Sequence, residues 1–212
     1  VVDQNTNTDP ADNFGIRSLP NLEAKFVAAN TLIGLNKKDS SLFDTEAIKA
    51  KENELKAAKH KIFRAKTVRT KRKYRQIVND LRQEIADMLE DCGAVGNAEA
   101  QQLASWDMFN QNASSPFFDT EWMFGVKDGF DIVIGNPPYI KERDNKSFFT
   151  SVNNSDLGKK YHAGKMDFWY YFLHFAISLN SANKSVICFI TSRYWIKSSG
   201  AKKIIKHVEE NL

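Results

Sequence analysis

Residues 130–140 read FDIVIGNPPYI. The run from Phe130 to Ile134 is apolar and β-branched apart from Asp131, which predicts a buried strand. Gly135 ends it, and Asn136, Pro137, Pro138 and Tyr139 follow at once. A rigid polar loop is therefore expected at the carboxyl end of the strand, where open α/β sheets bind ligands. Each proline locks φ and removes a backbone donor. Asn136 and Pro137, each preceding a proline, are pushed towards extended backbone. The Pro137 carbonyl is then held out with no neighbouring N–H competing for it. Beside it the Asn136 amide oxygen is a second acceptor. Two fixed acceptors suit a group with two N–H donors, such as the exocyclic amine of a base. The Tyr139 ring can stack on that base.

Asn136-Pro137-Pro138-Tyr139 after a hydrophobic strand resembles motif IV of the S-adenosylmethionine-dependent amino-methyltransferases, in the branch that acts on adenine N6 in DNA. The aromatic cluster Phe117, Phe118, Trp122, Met123 and Phe124, with Phe130 and Asp131, fits that family's lead-in to the motif and also reads as core. Downstream, Gly164-Lys165-Met166-Asp167 opens a helix over 167–179, with Asp167 as its N-cap. A strand over 185–191, the loop residues Arg193, Tyr194 and Trp195, and a helix over 201–212 follow. That order resembles motifs V and VI, nearest the type IIG restriction–modification branch. Upstream, residues 19–34 (LPNLEAKFVAANTLIG) resemble motif III: a strand over 25–29 leads to Asn30, at the position that faces the cofactor's adenine. The resemblance spans about 19–212, and only NPPY is sharply specific.

Several expectations come with it. The fold class is α/β, a partial Rossmann-like methyltransferase domain with an inserted helical hairpin. The activity is that of a site-specific, adenine-specific DNA methyltransferase of a type II restriction–modification system, resident in the cytoplasm. Asn136, Pro137, Pro138 and Tyr139 carry catalysis on an adenine flipped from double-stranded DNA. Asn30, Thr31, Asn136 and Pro138 contact S-adenosylmethionine, and methyl transfer needs no metal. The family's first two motifs, a Gly-rich turn for the cofactor's methionine and an acid for its ribose, are missing. Asp9-Pro10-Ala11-Asp12 starts like the first but lacks its glycines. With Val1 as the first residue, the chain reads as a piece of a longer polypeptide, whose remainder is then an expected partner.

Along the chain, 1–17 reads as a disordered lead-in and 18–43 as the motif III strand and turn, with 18–22 a turn. Residues 44–91 contain neither Gly nor Pro. Ile48, Leu55 and Ile62 repeat every seven residues; Tyr74, Ile77, Leu81, Ile85 and Met88 follow spacings of three and four. One helix of that length would run about 72 Å, so a hairpin over 44–92, broken near 67–70, is the compact solution. Ser40, Ser41 or Asp44 are candidate caps. Cys92-Gly93 marks the end. Ten cations from Lys56 to Arg75 come with no acidic residue among them, and Lys66, Arg69, Arg72 and Arg75 are candidate DNA phosphate contacts. A solvated helical face explains the same charges. Residues 93–212 hold motifs IV to VI, with a short helix over 98–106, a loop over 110–116 and a long polar loop over 141–165.

The 212 residues are 42% hydrophobic and 26% charged, with a net charge of +4, as for a soluble globular protein. Two cysteines do not make a disulfide framework. The most apolar window, 168–177, is about half a bilayer span. His60, His162, His174 and His207 are scattered without zinc spacing. A different class of reading is a non-catalytic nucleic-acid-binding or partner-binding helical module with a relic NPPY loop. Release-factor glutamine methyltransferases also carry NPPY, but the long helical insertion and the 164–195 order argue against them. Cytosine N4 is a minor alternative acceptor.

Overall fold

The computed structural model describes residues 6–15, 22–35, 45–110, 112–181 and 185–212. Its largest unit is the helical hairpin. Helix α1 (Glu46–Phe63) starts at Thr45, whose hydroxyl accepts from the Ile48 N–H at 3.4 Å. Helix α2 (Val68–Asp91) starts at Thr67, which accepts from Thr70 N–H. The break falls at 64–67, just ahead of the expected position. The candidate caps Ser40, Ser41 and Asp44 lie outside the described residues. Ile48, Leu55 and Ile62 are buried on α1, each contributing roughly 1.5–3 kcal/mol of apolar transfer. On α2 the buried face is Val78, Leu81, Arg82, Ile85, Ala86 and Leu89.

Helix α3 (Asn97–Ser105) and the short α4 (Thr120–Phe124) close this first cluster with Leu103, Trp106, Phe117 and Met123. Two cations, Arg82 buried and Lys59 half-buried, tie them in. The Arg82 guanidinium donates to the carbonyls of Leu103 and Ala104 at 2.9 and 3.3 Å and lies over the Trp106 ring. The Lys59 ammonium donates to the carbonyls of Trp122 and Met123 at 2.9 and 3.3 Å. Each cation thus meets the last carbonyls of a helix, where the helix dipole is negative.

The second cluster surrounds α7 (Trp169–Leu179), with Trp169, Tyr170 and Tyr171 buried. Helices α5 (Lys146–Asn154) and α8 (Lys202–Asn211) supply Phe149, Val152 and Ile204. Phe118 meets Phe175 edge-on at 5.6 Å and joins the two clusters. Strands β1 (Ile132–Gly135) and β2 (Val186–Phe189) pair in parallel, Ile132 opposite Val186 and Gly135 opposite Phe189. Gly129 brings the chain to β1 with φ +84°, and a Cβ there would stand 2.7 Å from the Leu179 carbonyl. That close approach lets the Phe130 N–H donate to Leu179 at 2.7 Å, tethering β1 to the end of α7.

Several expectations are corrected. The strand after Phe130 is not buried: Ile132 is 62% and Ile134 77% exposed. A two-stranded sheet has its helices on one face only, so alternate residues face out. Residues 25–29 form no strand. A 3-10 turn covers Leu22–Lys25, and Ala29 makes a single parallel bridge with Ser115. A strand needs a ladder, and no described segment offers 25–28 one. Residues 10–15, expected to be disordered, form a 3-10 turn (Pro10–Gly15), whereas the expected turn over 18–22 lies almost wholly outside the described residues. The polar loop over 141–165 folds as a 3-10 turn (Glu142–Asp144), α5 and α6 (Asp156–Tyr161). The N-cap of α7 is Phe168, without a side-chain cap bond, in place of Asp167. Among the described residues no helix is long and apolar enough to cross a membrane.

Candidate functional site

The loop after β1 is rigid for reasons beyond its prolines. Asn136 is exposed, Pro137 buried and Pro138 exposed. Tyr139 is 50% exposed, and its phenol donates to the Ile190 carbonyl just past β2. That bond fixes the ring and occupies the hydroxyl, so Tyr139 offers solvent a face and no free donor. Among the described residues nothing donates to the Asn136 amide oxygen or the Pro137 carbonyl.

Behind the loop the chain is clamped to the start of α7. Phe168 N–H donates to the Ile140 carbonyl at 2.8 Å and Glu142 N–H to Met166 at 3.0 Å. The Glu142 carboxylate bonds His162 Nε2 at 2.7 Å and accepts from Met166 N–H at 3.2 Å. Burial works to raise the Glu142 pKa, but these bonds outweigh it and the carboxyl titrates below its usual range. Asp167, beside them, is shifted upward by burial. Gly200 completes the seat, since a Cβ there would stand 2.2 Å from the Lys165 carbonyl.

Past β2 the chain turns at Arg193–Lys197, a 3-10 turn whose Ser192 hydroxyl accepts from Tyr194 N–H. Trp195 points inward and meets Trp169 edge-on at 5.7 Å. Arg193, Tyr194, Ile196 and Lys197 point outward.

The other expected residues are elsewhere. Asn30 is exposed beyond the Ala29–Ser115 bridge, its N–H donating to Ser115 at 2.8 Å. The Thr31 hydroxyl donates to the Ala29 carbonyl at 3.4 Å. No hydrogen bond among the described residues joins this turn to the 136–139 loop. Of the four candidate phosphate contacts, Lys66, Arg69 and Arg72 are exposed, whereas Arg75 is half-buried over the Phe109 ring at 5.0 Å. Lys59, from the same basic run, is half-buried; burial, with Arg82 and Lys25 nearby, lowers its pKa to about 7. A cavity of about 580 Å³ opens between α1 and α4. It touches none of residues 130–142 and lies apart from the loop.

The sequence did not signal a ring stack joining α6, α7 and α8. Tyr161 lies on His174 at 3.9 Å between centroids, and His174 Nδ1 is 2.8 Å from His207 Nδ1. Burial first, then His207 and the cations Lys203 and Lys160, lowers the His174 pKa to about 3. A histidine set among aromatic and aliphatic residues in α7 was its only trace. Among the described residues no group of His, Cys, Asp or Glu is placed to hold a metal ion.

S-adenosylmethionine fits these residues only in part. The Asn30 amide and Thr31 hydroxyl can meet an adenine edge. The sequence contains no Gly-x-Gly turn for the methionine end. A family model described as Eco57I restriction-modification methylase matches residues 21–212. No curated protein matches the chain.

Proposed function

The chain belongs to the Eco57I restriction-modification methylase family, and from that premise we propose that it is the part of a DNA methyltransferase that holds the exocyclic amine of a flipped adenine. The observation that carries the reading is the 136–139 loop: two unclaimed acceptors beside a ring whose hydroxyl is already bonded. An adenine turned out of its duplex stacks on Tyr139. Its amine donates one N–H to Asn136 Oδ1 and the other to the Pro137 carbonyl. Both bonds strengthen as the nitrogen becomes tetrahedral and its lone pair is freed for attack, so the loop acts by positioning and by stabilising developing positive charge. S-adenosylmethionine, when bound, supplies an electrophilic methyl group, with Asn30, Thr31 and Pro138 along its adenine. The Glu142 clamp keeps the loop in register with α7. The type IIG branch, the remainder of a parent polypeptide as the carrier of the Gly-rich turn, and phosphate contacts from Lys66, Arg69 and Arg72 belong to the same proposal.

A second reading, a nucleic-acid-binding helical module with a relic loop, is favoured by one observation: the hairpin builds its own hydrophobic cluster, separate from the one beneath the loop. In the complete parent enzyme, Asn136→Ala should abolish methyl transfer and leave cofactor binding within about tenfold, because contacts made in the transition state appear in the rate. Near-normal turnover in a methylation assay would overturn the assignment.

A further inference from the structure

The turn after β2 has features that the 136–139 loop does not use. Tyr194 is 80% exposed and Ile196 65%. Exposure of that kind on a floppy loop would mean little, but this turn is held at both ends. Ser192 caps it, Trp195 is wedged edge-on against Trp169, and Ser198 N–H closes it on the Trp195 carbonyl at 2.9 Å. The anchored Trp195 forces its two neighbours outward. The charge is one-sided as well. From 185 to 208 the chain carries Arg193, Lys197, Lys202, Lys203 and Lys206 and no acidic residue. Among the described residues neither Arg193 nor Lys197 has an ion-pair partner.

The turn is also tied to the loop. Tyr139 bonds the carbonyl of Ile190, four residues before Tyr194. Four residues reach at most about 14 Å, and stacked bases on a strand advance about 3.4 Å each. The Tyr194 backbone therefore lies within about four base steps of the carbonyl that anchors Tyr139. An aromatic face flanked by cations is the arrangement that holds unpaired nucleic acid, the ring stacking a base and the cations meeting phosphates.

We propose that Tyr194 is a second stacking platform, which takes an unpaired base on the same strand as the one on Tyr139, while Arg193 and Lys197 hold the neighbouring phosphates. This rests on the reading of the 136–139 loop as a base-binding site and adds a nucleic-acid surface beside it. Ring stacking tolerates any base, so the platform serves extruded or single-stranded DNA without regard to sequence.

The test titrates residues 1–212 with a labelled single-stranded dodecamer, against the same backbone made abasic. Tyr194→Ala should weaken binding of the base-bearing strand about five- to tenfold and leave the abasic strand unchanged. Tyr194→Phe should restore wild-type affinity, since only the ring face is used. Replacing Arg193 and Lys197 by Gln should flatten the salt dependence by up to about 1.4 log units, about 0.7 per contact on a single strand. Equal affinity of Tyr194→Ala and wild type for the base-bearing strand overturns the platform, as does equal weakening on both strands. A surface that instead covers another polypeptide would show no strand binding at all, which also overturns it. The separate methylation assay of Asn136→Ala reports on the 136–139 loop, so either result can fail without the other.

Discussion

The hairpin offers a quantitative test of DNA binding. Four cations were candidates, but Arg75 is half-buried and stacked on Phe109, which leaves Lys66, Arg69 and Arg72 exposed for phosphates. On duplex DNA each phosphate contact contributes about 0.9 to the slope of log affinity against log salt. Replacing those three by Gln should therefore flatten the slope by up to about 2.7. Between 50 and 200 mM salt, wild type should lose up to about 40-fold more affinity than the triple variant. Adding Arg75→Gln should leave the slope nearly unchanged and lower stability instead, because a stacked side chain is removed from α2. Fluorescence anisotropy with residues 1–212 and any duplex of about 20 base pairs measures this, and the effect should not depend on sequence. An unchanged slope in the triple variant would show that these cations form only a solvated face.

Three further outcomes follow from other parts of the structure. His174 titrates at about 3 in the folded chain against 6.5 ordinarily, so the unfolded chain takes up a proton first and stability falls as pH drops from 6.5 towards 3. At pH 4.5, two units below the ordinary value, the loss is on the order of 2–3 kcal/mol. Urea midpoints at pH 7 and 4.5 should show it, and His174→Phe should remove most of it; an identical pH dependence in the variant would sink the assignment. Residues 1–212 alone should give no heat on titration with S-adenosylmethionine, since Asn30, Thr31 and the Pro138 edge are too few contacts to offset the entropy of association; micromolar affinity in a clean monomer would place the cofactor site elsewhere. Ile62→Ala, at a fully buried position of α1, should cost about 2–5 kcal/mol, and a loss under 1 kcal/mol by denaturant unfolding would mean that the hairpin is not the stable unit.

The hairpin was legible because its contacts are local: capping threonines, a Gly- and Pro-free run and heptad spacing all lie in the chain. Even there, the expected stripe through Tyr74, Ile77 and Met88 misses Val78, Arg82 and Leu89, because α3 draws the buried face of α2 round towards itself. The helices over 146–161 were hidden by composition. Lys, Asn and Ser dominate, and only Phe149 and Val152 of α5 are buried hydrophobics. The exposure of Ile132 and Ile134 depends on how many strands and helices flank β1, which no local pattern encodes. Residues 25–29 failed for the same reason in reverse, since a β-prone segment without a ladder stays irregular. The place of the NPPY loop, directly after a strand and open to solvent at Asn136 and Tyr139, was readable in the sequence. The tether of Tyr139 to Ile190 and the pairing of His174 with His207 join residues 51 and 33 positions apart, and only folding brings them together.

The parallel pairing of β1 with β2 also sets an order in time. Ile132 and Val186 are 54 positions apart, and closing such a loop costs roughly 3.5 kcal/mol in chain entropy, before its constant term. Only four residues separate α1 from α2, so the hairpin can zip by local contacts within microseconds to milliseconds. The Asn136–Tyr139 loop acquires its shape only when β2 arrives and the Ile190 carbonyl meets the Tyr139 phenol. Nascent chains would therefore present the basic hairpin well before the Asn136–Tyr139 loop has its shape. In hydrogen exchange, amides at Ile134 and Ile190 should open at lower free energy than those at Ile62 and Ile85. The loop proposed to hold the base is then the last to form and the first to let go.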